Sequence, residues 1–122
     1  MPRRVLILDD EVLIADLTEA MVRDLGYDVV ATAHHMDTAL EAINRNDFDV
    51  ALVDMSMDGK ECPEIPDRLI ELHRPFAFVT GFQRPREKRH SHIQILQKPF
   101  KLDDLRKLLE ALSDRSDRMA AR

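Results

Sequence analysis

Short apolar runs alternate with segments of helical period along this chain, and the alternation predicts its elements one after another. Val5-Leu6-Ile7-Leu8 is continuously apolar, as expected of a strand covered on both faces. Ile14, Leu17, Met21 and Leu25 then recur at spacings of three and four, predicting one apolar helical stripe that Gly26 terminates. Val29 to Ala33 reads as a second strand. Asp37 or Thr38 can cap the helix carrying Leu40 and Ile43, and Thr38 with Glu41 fits a capping box. Val50 to Val53 is the third strand. Pro63 and Pro66 delay the next helix until about Ile65, so it is predicted to be short, running near Leu69 to Leu72. Phe76 to Thr80 is the fourth strand.

The stretch from Gly81 to His92 has Pro85, four basic residues and almost no apolar residue to hold a helix on a sheet. It predicts a fourth helix that is short or mobile. Ile93 to Leu96 makes the fifth strand, and Leu102, Leu105, Leu108, Leu109 and Leu112 line a final helix. From 113 to 122 a polar tail is expected, with little to pack against. Five strand and helix alternations require parallel strands joined by right-handed crossovers, an α/β doubly wound sandwich whose sites lie at the carboxyl ends of its strands.

Composition narrows the classes. The chain has 122 residues, 44% hydrophobic and 34% charged, the size and balance of one globular domain. A net charge of -5 argues against nucleic-acid binding, which needs a basic face. One cysteine forms no internal disulfide, and neither a signal-peptide pattern nor a long apolar segment is visible, so a cytoplasmic protein with no membrane association is expected. Cys62 has no base beside it and reads as a structural thiol. His34-His35 and His90-Ser91-His92 have no further ligand cluster at familiar spacing and read as solvated side chains. Arg84, Arg86, Lys88 and Arg89 read either as a solvated face or as a docking patch for an acidic surface.

The predicted topology turns scattered polar residues into a cluster. Asp9-Asp10-Glu11 follows strand one, Asp54 ends strand three, Thr80 ends strand four and Lys98 follows strand five. Taken singly, the triplet is a set of acids favouring a helix N-terminus, Asp54 a strand end and Lys98-Pro99 a charged turn. On one sheet edge they become a site. Two carboxylates about 5 Å apart repel by roughly 3 kcal/mol at an effective dielectric near 20, so three together favour a bound cation or proton uptake. Hard oxygen ligands suit magnesium, which keeps open positions for phosphoryl oxygens.

With Val5-Leu6-Ile7-Leu8-Asp9-Asp10-Glu11, Val53-Asp54, Thr80-Gly81 and Gln97-Lys98-Pro99-Phe100, the chain resembles the receiver domain of bacterial two-component response regulators over residues 3 to 112. The resemblance implies a flavodoxin-like sheet of strand order 2-1-3-4-5. It also implies a cytoplasmic phosphoprotein that assists its own phosphorylation and dephosphorylation and is not an enzyme in the ordinary sense. Asp54 would be the phosphoacceptor. Asp9, Asp10, Asp54 and the backbone carbonyl of Ser56 would bind Mg2+, and Thr80 and Lys98 would meet the phosphoryl group. Gly81, Phe82 and Ile95 would form the switch region, and the bond before Pro99 would be cis. The implied partners are a histidine kinase or histidine phosphotransfer protein and a downstream protein, with the chain a monomer or weak homodimer and no output domain attached.

Phe78-Val79-Thr80-Gly81-Phe82 and Asp58-Gly59-Lys60-Glu61-Cys62-Pro63 are also similar to a subgroup called FAT GUY response regulators, many of them single domains. Two departures stand out. Ile95 occupies the position where ordinary receivers often carry an aromatic residue coupled to the threonine, and Ser56 stands where the subgroup commonly has asparagine. Two other classes stay open. A haloacid-dehalogenase-like phosphatase would need a second aspartate where Ser56 lies, and a pseudo-receiver scaffold would never be phosphorylated.

Overall fold

The computed structural model describes residues 3–81 and 83–120, with side chains to Met119 in the last helix. Phe82, assigned above to the switch region, lies outside the described residues. The order is β1 (Arg4–Leu8), α1 (Val12–Asp24), β2 (Asp28–Ala33), α2 (Met36–Arg45), β3 (Val50–Asp54), β4 (Ser56–Met57), β5 (Lys60–Glu61), α3 (Glu64–Glu71), β6 (Phe76–Thr80), a 3-10 turn (Lys88–His90), β7 (Ile95–Gln97) and α4 (Leu102–Ala120).

Every strand of the main sheet is parallel to its neighbours, in the order β2-β1-β3-β6-β7. This is the expected flavodoxin-like order. The sheet divides the core in two. Leu6, Leu8, Phe48, Val53, Met57, Ile65 and Leu69 pack on one face, and Val5, Ile7, Val22, Leu52, Leu105 and Leu109 on the other. Successive strand residues point to opposite faces, so the fully apolar run of β1 feeds both cores.

Several elements differ in detail from the expected ones. The buried face of α1 is Ala15, Thr18 and Val22, while Leu17 is 58% exposed and Leu13 82%. The small residues let the helix lie close to the sheet, and the larger Leu13 and Leu17 are turned outward. At α2 the capping box is absent: His35 is the N-cap, and the Thr38 hydroxyl donates back to the His35 carbonyl. The Met36 N–H is instead satisfied from a distance, by Asp58 Oδ2 at 3.0 Å. α3 starts at Glu64, within one residue of the expected start, with Pro66 in its first turn where a missing N–H costs nothing.

Among the described residues of the crossover between β6 and β7 the helical element is a 3-10 turn, so the fourth helix is short as expected. α4 runs on to Ala120 where a polar tail was expected from 113. Its extension buries Ser116 and places Asp117 in an ion pair with Arg3 beside β1, contacts that an apolar count did not include.

Candidate functional site

Strand ends position the site. β1 stops at Leu8, and the Asp9 N–H donates to the Ala33 carbonyl of β2, which holds Asp9 at the sheet edge. β3 carries Asp54 as its last residue, registered against Val79 of β6. Thr80 ends β6, and its carbonyl accepts the Lys98 N–H at 2.7 Å, bringing the residue after β7 to the same edge. The Lys98–Pro99 peptide is cis, as the resemblance implied.

Asp9, Asp54 and Thr80 are buried, and Asp9, Asp10, Glu11 and Asp54 can each place a carboxylate oxygen within 4.8 Å of the others. Lys98 Nζ lies 3.1 Å from Asp9 Oδ2, 3.1 Å from Glu11 Oε1 and 3.4 Å from Asp54 Oδ2. One ammonium therefore faces a set of acids it cannot neutralise alone. Burial, then the adjoining Asp9 carboxyl, pushes Asp54 up to about 7, partly opposed by Lys98. Burial works against the charge on Lys98, but Asp54, Asp9 and Glu11 outweigh it and hold its ammonium above the usual lysine value.

The acids are oriented by backbone donors. Asp9 Oδ1 accepts the Glu11 N–H at 2.9 Å, Asp54 Oδ1 the Ser56 N–H at 3.2 Å, and Asp10 Oδ2 the Gly59 N–H at 3.3 Å. A dense set of hard oxygen donors, in excess over the single facing ammonium, fits a divalent cation of the magnesium type. The geometry places four carboxylates where they could hold one cation together.

The Asp10 to Gly59 contact comes from a feature the apolar pattern missed. β4 and β5 form a two-residue hairpin whose central Asp58 and Gly59 both have positive φ, +54° and +79°. Asp-Gly is a strong short-range signal for this turn, and it stands in the sequence. The hairpin tip also docks on α2, where Asp58 accepts from the Met36 N–H and bonds His35 Nδ1 at 2.9 Å. Those two contacts, the backbone donor first, hold the Asp58 carboxyl below its usual range.

Of the expected switch residues, Gly81 lies at the end of β6 and Ile95 is half-buried, paired with Phe78. Thr80 does not stand alone: its Oγ1 donates to Gln83 Oε1 at 3.0 Å, a partner that sequence periodicity gave no reason to select. His90, expected to be solvated, is fully buried with Nε2 2.7 Å from Asp67 Oδ1. His34 bonds the Asp9 carbonyl through Nδ1 at 3.0 Å. Cys62 is buried, which pushes its thiol up and agrees with a structural role. No helix among the described residues is long and apolar enough to cross a membrane.

A model of the response regulator receiver domain matches residues 5–110. The transcriptional regulatory protein PdtaR of Mycobacterium tuberculosis (strain ATCC 25618 / H37Rv) is 32% identical over 114 residues, covering 86% of this chain and 54% of its own length. Among solved structures, the anti-anti-sigma factor PhyR from Bartonella quintana superposes with a TM-score of 0.83 at 25% identity, over 99% of this chain and 51% of that one. SdrG from Sphingomonas melonis Fr1 gives 0.81 at 30% identity, over 92% of this chain and 97% of that one. The chain spans about half the length of the first curated relatives it matches.

Proposed function

We propose that this chain, which belongs to the response regulator receiver domain family, accepts a phosphoryl group on Asp54 and passes the signal on through protein contacts. The observation that carries the reading is the Lys98 ammonium lying within 3.4 Å of both Asp9 and Asp54 at the end of β3. Asp9, Asp10, Asp54 and the Ser56 backbone carbonyl would hold Mg2+, which supplies compensation for charge on the phosphoryl oxygens.

A carboxylate oxygen of Asp54 attacks phosphorus, the bond from phosphorus to the donor breaks with its electron pair leaving on the donor, and an acyl phosphate remains. Lys98 Nζ, already 3.4 Å from Asp54, takes up a phosphoryl oxygen as the carboxylate charge moves onto the new group. Thr80 donates its hydroxyl to another oxygen. The phosphoryl group brings about -1.5 to -2 charge into a site whose cations are few, and this drives the rearrangement.

The donor would be a histidine kinase or a histidine phosphotransfer protein. Supporting this, an apolar groove of about 340 Å3 between α1 and the segment after β7 borders Glu11 and Lys98, with Leu17 and Phe100 in its walls. An apolar helical face of a donor protein fits such a groove. A cytoplasmic location agrees with these partners.

The test is incubation with magnesium and a small acyl phosphate, followed by intact mass. One phosphoryl group is expected on the native chain and none on Asp54→Ala. Repeated turnover of a phosphate ester would select a phosphatase, although Ser56 cannot serve as the acid two residues beyond Asp54. No mass gain on the native chain would select an unphosphorylated docking scaffold.

A further inference from the structure

Thr80 is 2% exposed, and its hydroxyl is already committed: it donates to Gln83 Oε1 at 3.0 Å. A hydroxyl has a single proton to give. A phosphoryl oxygen on Asp54 that receives this proton must take it from Gln83, so the two acceptors exclude each other.

We propose that Gln83 is a ground-state lock on the switch, a positioning residue that holds the Thr80 hydroxyl until a phosphoryl group competes it away. The proposal rests on the reading of Asp54 as phosphoacceptor and adds the residue that opposes it. Ile95 lacks a polar atom and cannot read the position of the Thr80 proton. Gln83 reads it directly.

The surroundings define what release can move. Gln83 is exposed and faces a polar cavity of about 390 Å3 bounded by Ser56, Gly59, Lys60, Glu61, Arg84 and Arg86. That volume accommodates the released carboxamide without moving the core. Further along, the Arg86 N–H donates to Glu61 Oε2 at 3.1 Å, and Arg89 and His90 both bond Asp67 of α3. Among the described residues of the crossover, the tie at Gln83 comes before these other two in chain order. Its loss releases Gln83 from Thr80 while the two later ties persist.

The experiment is a double-mutant cycle read by the affinity of the full chain for beryllofluoride with Mg2+ present, a phosphoryl mimic that needs no turnover. Gln83→Ala is expected to bind about two- to tenfold more tightly than wild type, the worth of one neutral hydrogen bond that no longer has to be broken. In a Thr80→Ala background the same substitution is expected to change nothing. Independently, the side-chain amide resonances of Gln83 should shift when Thr80→Ala is introduced without any mimic.

Unchanged or weaker binding by Gln83→Ala, an equal gain in both backgrounds, or a Gln83 amide indifferent to Thr80→Ala each overturns the lock. If wild type takes up no beryllofluoride at all, the phosphoacceptor reading fails and the lock falls with it. Binding by wild type without coupling removes the lock alone.

Discussion

At the scale of single residues, the burial of Asp54 makes its ionisation oppose folding. Its carboxyl is pushed up to about 7 in the native state, whereas the unfolded chain titrates near the ordinary aspartate value of about 3.9. Between those values the native state binds more protons. This contribution to stability is therefore complete below about pH 4 and is lost as pH rises through about 7. Asp54→Asn keeps an oxygen to accept the Ser56 N–H and removes the charge. Without divalent cation, Asp54→Asn is expected to be more stable than wild type by roughly 2 to 4 kcal/mol at pH 8, with little difference at pH 4. Urea unfolding at both pH values measures it, and a less stable Asp54→Asn at pH 8 would contradict the account. Asp9, Asp54, Thr80 and Lys98 were legible because each sits where an apolar run ends, and strand ends fix position along a sheet edge. Gln83 and His90 were not. Their roles depend on Thr80 and Asp67, partners that no local period indicates.

At the scale of elements, the crossover from β6 to β7 is held by side chains in place of a packed helix. Arg89 bonds both oxygens of Asp67, and His90 Nε2 shares Oδ1. Arg89 first, then His90, lowers the Asp67 carboxyl to about 2. The stability this carries is present above the ordinary carboxylate range and is lost as pH falls through about 2. The Arg89 pair is exposed and screened, so it contributes little. The buried imidazole matters more. Asp67→Ala strands His90 Nε2 and is expected to cost about 1 to 3 kcal/mol, while Asp67→Asn retains an acceptor and costs less. Amide exchange at 88–93 should accelerate in Asp67→Ala; equal protection in both variants would refute the latch. The shortness of the helix in this crossover was legible because Gly81 to His92 has almost no apolar residue. The β4–β5 hairpin was overlooked although Asp58-Gly59 announces it, because two-residue strands are too brief to show an apolar period. The start of α2 was misplaced for a different reason: its cap comes from Asp58, 22 residues away in sequence.

For the whole molecule, the fold brings repulsion to one place and leaves a ligand to relieve it. Both cores lie behind the carboxyl edge of the sheet, so carboxylates gathered there cannot separate without disturbing β1 and β3, whose residues are almost entirely buried. This much followed from the alternation of runs and helices, since parallel order is forced by the crossovers. The extent of α4 did not follow, because Ser116 and Asp117 are held by tertiary contacts in a polar stretch. A cation that binds the folded site and not the unfolded chain stabilises by mass action, about 2.7 kcal/mol at a hundredfold excess over its Kd. Protons compete for the same oxygens, since Asp54 is largely protonated well below 7 and ionised well above it. Added Mg2+ is therefore expected to raise Tm by several degrees at pH 8 and by much less at pH 5.5. Asp54→Asn should lose most of the pH 8 gain, because it removes one of the anionic donors while leaving Asp9 and Asp10 in place. Scanning wild type and Asp54→Asn with and without Mg2+ at the two pH values separates site binding from a general salt effect, which would shift Tm alike in every pairing of protein and pH. An equal rise in both proteins at both pH values would mean that the acids of this edge do not act together on a cation.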